Sequence, residues 1–181
     1  MKLFSPGLSL KTIIGCVSIS FVFMSLSCAL YLYINANPKK LFSENYRRYE
    51  RIVLRGASAN PSNLEEAYME GNMDSVILDY KKLNSLTPEE YLLAGIAYLE
   101  KNQSDKAIVT FKKLIKINQD AKTDYFEDAA EYYLAMSYLN NMEPEKAMPI
   151  FEKIKADPEN RYYSDVDDLL LLNVRTSVAK Q

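Results

Sequence analysis

Few side chains in this sequence could make or break bonds. Its 181 residues include no histidine, which removes any imidazole base, any Ser-His or Cys-His pair and any imidazole metal ligand. The two cysteines, Cys16 and Cys28, both sit in the first apolar stretch and cannot build a disulfide framework. The five glycines stand apart at 7, 15, 56, 71 and 95, so no loop cradles a phosphate, and there is no G-x-S-x-G turn. Asp165, Asp167 and Asp168 form a carboxylate cluster that could touch a cation, but the spacing fits a solvated helix start better. Glu65-Glu66 and Glu89-Glu90 read the same way. No catalytic, cofactor-binding or metal-binding residue is assigned, and the chain is read as a non-enzyme.

The composition favours packing instead. Apolar residues make up 48%, with 14 tyrosines and no tryptophan, enough to bury the core of one domain. Residues 12–34 (TIIGCVSISFVFMSLSCALYLYI) are 23 positions without a charge. As a helix they are roughly 34 Å long, enough to cross a hydrocarbon layer of ~30 Å. Tyr31 and Tyr33 fall where an interfacial belt is expected. A cleaved signal peptide has a shorter apolar core, and Ile13-Ile14-Gly15-Cys16, although similar to a lipobox, has almost no apolar core before it. A retained, single-pass anchor in a bacterial inner membrane is the expectation. Lys2 and Lys11 precede it, and Lys39, Lys40, Arg47, Arg48 and Arg51 follow, so the side of the C-terminal domain stays open.

Residues 35–55 carry a net +4 and residues 56–181 a net −8. The first suits anionic headgroups or simply stops translocation. The second argues against nucleic acid. Within this neck Phe42, Tyr46, Tyr49 and Val53 recur at helical spacing, predicting an amphipathic helix that needs a partner surface. GASANPSN at 56–63 then reads as a linker or turn.

The strongest pattern is self-similarity. Tyr91, Ala94, Gly95 and Tyr98 share a helical face; after Asn102-Gln103-Ser104 come Ala107, Phe111 and Leu114. Forty residues on, Leu134, Ala135 and Tyr138 precede Asn140-Asn141, then Ala147, Phe151 and Ile154. A weaker earlier copy runs through Ala67, Tyr68, Gly71, Val76, Tyr80 and Leu83. Small residues at 95, 107, 135 and 147 let antiparallel helices approach while Tyr and Phe fill between them. Thr87-Pro88-Glu89-Glu90 reads as a capping box, Ser104 as the next helix cap and Pro158 as a stop. Pro149 predicts a kink. Tyr162, Val166, Leu169, Leu170 and Val174 predict a terminal capping helix.

These residues resemble the tetratricopeptide repeat family, with 88–121 and 128–161 as good copies and about 57–87 as a degraded one. The spacing of 40 instead of 34 implies roughly six extra residues around 120–125, lengthening the turn or the start of the next helix. Together with the neck, residues 41–175 look like a membrane-anchored repeat protein of a kind common in Bacteroidetes. The resemblance implies an all-α fold of antiparallel helix pairs, a solenoid of about 2.5–3 repeats plus a capping helix behind an N-terminal transmembrane helix. The layout expected is a tail at 1–11, the anchor at 12–34, the basic neck and linker at 35–63, repeats at 64–161 and the cap at 162–181.

In that family the first helix of each pair lines a concave surface that holds peptides. By position that surface here is Leu92, Ile96, Leu99, Tyr132, Met136 and Leu139. It is apolar and lacks the Lys/Asn/Arg set that clamps a carboxylate in chaperone-binding relatives. The resemblance thus implies an adaptor or scaffold for a protein or peptide partner. Three other uses stay open: core packing, a groove filled by the chain's own neck in a self-closed or homo-oligomeric structural protein, and restraint of a membrane signalling partner.

Overall fold

The computed structural model describes residues 10–50 and 61–180, which form two units divided after Asn35. Val53 and the start of the 56–63 turn lie outside the described residues. The first unit is one helix, α1 (Leu10–Asn35). Val17, Phe21, Phe23, Met24, Leu26 and Leu30 are all more than half exposed along it. Ser25 and Ser27 donate their hydroxyls back to the carbonyls of Val22 and Phe23, which satisfies them inside an apolar helix. Among the described residues no helix is long and apolar enough to cross a membrane.

The second unit is helical throughout, with no strand among the described residues. It runs α2 (Pro38–Asn45), α3 (Asn63–Met69), α4 (Met73–Lys82), α5 (Pro88–Glu100), α6 (Ser104–Ala121), α7 (Glu127–Asn140), α8 (Pro144–Ala156) and α9 (Asp168–Val178). The pairs α3/α4, α5/α6 and α7/α8 are antiparallel hairpins stacked in chain order, α9 covers α8, and α2 returns onto α7 and α9. One core runs through all of them. Lysine stems sheathe tyrosines at the outer surface, Lys112 and Lys146 both lying over Tyr138 at 5.6 and 5.8 Å.

All three hairpins turn the same way. The N–H groups of Asn72, Gln103 and Glu143 donate to the carbonyls of Ala67, Tyr98 and Tyr138 at 2.8, 2.8 and 2.9 Å, the wide loop that closes a helix end. Each turn places one residue at positive φ: Gly71 at 77°, Asn102 at 55° and Met142 at 62°. Glycine meets this requirement without strain in the first hairpin; Met142 meets it with a side chain, at a steric cost.

Local signals held at α5. Thr87 accepts from the Glu90 N–H at 3.2 Å, and Glu90 returns to the Thr87 N–H at 2.8 Å. Ser104 does not cap α6. It is the first residue of that helix, buried, and its Oγ accepts from Asn140 Nδ2 at 2.8 Å, tying one hairpin turn to the next. The extra residues near 120 extend the end of α6, which reaches Ala121, rather than the start of α7. Buried Asn118 then holds the loop by donating to the Tyr125 carbonyl at 2.8 Å. α8 continues as helix through exposed Pro149. The capping helix starts at Asp168 instead of 162, because Asp167 caps it by accepting from Leu170 N–H at 2.6 Å. Tyr162 and Val166 are buried in the turns before it, and Leu169 faces solvent.

The neck departs most from expectation. Asn37 caps α2 and Pro38 opens it, but the helix ends at Asn45; Tyr46 turns to φ −69°, ψ 128°, and no helix follows through Glu50.

Helices α5 and α6 approach closely at Gly95. A Cβ there would lie 2.5 Å from the fully buried Phe111 ring. Gly95→Ala is therefore expected to lower the unfolding free energy by about 1–3 kcal/mol through overpacking, measured by urea titration of the full chain in detergent. An unchanged midpoint would refute the close fit.

Candidate peptide-binding groove

Helices α5 and α7 have no solvent face along most of their length: residues 90–99 and 132–140 are buried without a break. Such helices must be covered on every side. α5 is enclosed by α3, α4, α6 and α7, and α7 by α5, α6, α8 and α2. Leu92, Ile96 and Leu99 on α5 and Tyr132, Met136 and Leu139 on α7 are thus brought together, each no more than 2% exposed. All six belong to one buried core, so the side chains expected to line an open apolar groove are covered in this structure.

Against α3 and α7 lies the chain's own segment 45–50, called here the strap. Three tyrosine hydroxyls from two hairpins donate to its main chain: Tyr132 to the carbonyl of Asn45 at 3.1 Å, Tyr133 to that of Arg47 at 2.9 Å, and Tyr68 to that of Tyr49 at 2.8 Å. Carbonyls two residues apart face the same way only in an extended chain. A helix would have spent those carbonyls internally, so the hydroxyl ladder explains why the periodic neck leaves the helical path at Tyr46.

Side chains of the strap are held separately. Arg48 grips both carboxylate oxygens of Glu100 at the end of α5, and Tyr46 donates to Glu100 Oε1 at 3.1 Å. The Arg48 guanidinium lies beside the first hairpin turn, where a Cβ on Gly71 would stand 3.7 Å from Nη1. The guanidinium of Arg161 sits 5.4 Å from the centre of the Tyr49 ring. Arg47 and Glu50 are exposed.

Around the strap is an aromatic cluster centred on Tyr133. Its ring meets Tyr46 and Tyr49 edge-on at 6.1 and 6.4 Å, stacks on Phe111 at 6.2 Å, and neighbours Tyr132 and Tyr162. Tyr132 and Tyr162 stack at 4.3 Å. Beside the strap a cavity of about 320 Å³ opens between Arg47, Tyr133 and Asp165, and a cleft of about 530 Å³ lies beyond Tyr49, against Asp128 and Lys153. Both mix charges of either sign. Among the described residues no His, Cys, Asp or Glu group could hold a metal ion. The arrangement holds polypeptide: donors for a main chain, an acid for a guanidinium, and rings for rings.

Burial raises the pKa of Tyr46, Tyr68, Tyr132 and Tyr133 above the ordinary tyrosine value, with nearby Glu100 adding to it at Tyr46 and Tyr68. Tyr162 is pushed up to about 12 by burial, with Arg161 working the other way.

This is a solenoid of stacked helix hairpins closed over a peptide-like segment. The tetratricopeptide repeat model matches residues 91–121 and 129–160, in the second and third hairpins. No curated protein and no solved structure matches the chain.

The sequence pattern did not single out Tyr133, Glu100 or Arg161, nor Tyr68 as a donor to the neck. One signal was legible: the neck is basic and the repeats acidic, and Glu100 ends the helix whose face had been assigned to a ligand.

The raised tyrosine pKa values set an alkaline limit. Below pH 10 these hydroxyls are protonated in both folded and unfolded chains, and their contribution is complete. Above it the unfolded chain ionises first, so each buried tyrosine removes about 1.4 kcal/mol of stability per pH unit. Helical circular dichroism and the tyrosinate absorbance of these residues are expected to change together above pH 10. Full tyrosine ionisation near pH 10 with helicity intact would contradict the buried bonds.

Proposed function

We propose that this chain is a membrane-tethered tetratricopeptide scaffold that binds another protein on its concave side, and that residues 45–50 occupy that side in cis until a partner replaces them. The observation that carries the reading is the strap itself: a main-chain segment hydrogen-bonded across the first and third hairpins is what a peptide ligand of this face would look like. The contact surface is the floor of Leu92, Ile96, Leu99, Tyr132, Met136 and Leu139 with the hydroxyl ladder above it. Residues 12–34 serve as the single anchor, in a bacterial inner membrane. Their support is the uncharged 23-residue run and the exposed apolar side chains of α1. No catalytic role is assigned, consistent with a sequence lacking histidine. The proposal includes no nucleic-acid partner, given the acidic repeats.

The same strap favours a second reading, a self-closed structural protein in which the segment never leaves. A photo-crosslinker in place of Tyr132, in cells, separates the two. Adducts to a second protein are the expected result, whereas adducts confined to residues 42–50 of the same chain would replace the scaffold reading with the self-closed one. For the anchor, the full chain should stay in the membrane pellet on alkaline carbonate extraction. Val22→Lys with Leu26→Lys should release it, since each charge at a span centre costs about 2.5–3.5 kcal/mol; release of the unaltered chain would refute the anchor.

A further inference from the structure

The strap is a template for what the groove selects, because main chain and side chains are read by different groups. The three tyrosine hydroxyls touch only carbonyls and accept any extended segment. Discrimination falls to three positions. The first places a ring against Tyr133 and a hydroxyl on Glu100. The third places a guanidinium on both Glu100 oxygens, a fork geometry that lysine cannot reproduce. The fourth places a ring between the edge of Tyr133, at 6.4 Å and 83°, and Arg161. The second position, Arg47, is exposed and unread.

Resting on the reading of this face as a peptide site, we propose that it recognises an extended segment of the form aromatic-x-Arg-aromatic on another protein, with Glu100 as the residue that selects the arginine. The strap Tyr46-Arg47-Arg48-Tyr49 is the resident copy of that motif. Charge favours such a ligand: residues 56–181 carry a net −8, and with the strap in place the Glu100 side chain is only 14% exposed and paired with Arg48.

The test uses the full chain in detergent carrying Arg48→Ala, which loosens the strap, and a fluorescent synthetic peptide of residues 43–50, SENYRRYE. Without that change the tethered strap competes at an effective concentration in the ~mM range. Saturable binding is expected by fluorescence anisotropy, at least tenfold weaker for a peptide whose second arginine is glutamate. Adding Glu100→Lys to the protein should reverse that order. Equal binding of both peptides, an order unmoved by Glu100→Lys, or no saturable binding with helicity intact would overturn the motif. Those failures leave the crosslinking result of the scaffold reading standing, so the two fail separately. Should Arg48→Ala lose helicity, hydrogen exchange on the unaltered chain decides. Excess peptide should speed exchange at residues 46–50 while α5 and α7 stay protected, and no change there would overturn the proposal.

Discussion

The Tyr133 hydroxyl, donated to the carbonyl of Arg47 from inside the core, is the contact on which the placement of the strap depends. A buried phenol without an acceptor, or a carbonyl turned inward without a donor, costs about 1–3 kcal/mol. The ring has no alternative place, being surrounded by Tyr46, Tyr49, Phe111, Tyr132 and Tyr162. Strap and repeats are therefore mutually required in the closed state. The repeats hold hydroxyls that donate to main chain, and the strap presents carbonyls that accept them. The bonds at Tyr68 and Tyr132 repeat this logic two residues away on either side.

The hairpins show how the same packing problem is solved with different residues. Over Phe111 the facing helix carries Gly95, and the ring fills the space a Cβ would take. At the equivalent positions of the next hairpin stand Ala135 and Phe151, both fully buried. The repeat thus fixes the ring and lets the small residue vary by one carbon. Turn chemistry varies in the same way, with Gly71, Asn102 and Met142 all adopting one backbone conformation. This tolerance is why the first hairpin, with Val76 and Tyr80 in place of Ala and Phe, still stacks on the second.

Much of this was readable in the residues. Periodicity and the spacing of 40 located the α5/α6 and α7/α8 hairpins, and Thr87 to Glu90 marked a helix start, because those signals are local. For Leu92, Ile96, Leu99, Tyr132, Met136 and Leu139 the residue types suited core packing as well as a groove, and the structure buries all six. What failed depended on distant partners. Phe42, Tyr46 and Tyr49 have helical spacing, yet the chain leaves the helix because hydroxyls from residues 68, 132 and 133 compete for its carbonyls. Ser104 looked like a cap and instead serves Asn140, 36 residues away. Leu169 fits a helical stripe, but Asp167 starts the helix late and turns it outward.

The strap also has a mechanical meaning. Within the second unit the chain passes from Ala36 through α2 and the strap before it enters any hairpin, so tension applied at Ala36 travels that route first. The three carbonyl bonds and the Arg48–Glu100 pair are contacts such tension would meet along the strap. The Lys180 ammonium reaches the Ala36 carbonyl at 3.4 Å, so the far end of the chain is tied to the point of loading. A force large enough to draw out the strap would bare the hydroxyl ladder and Glu100 together.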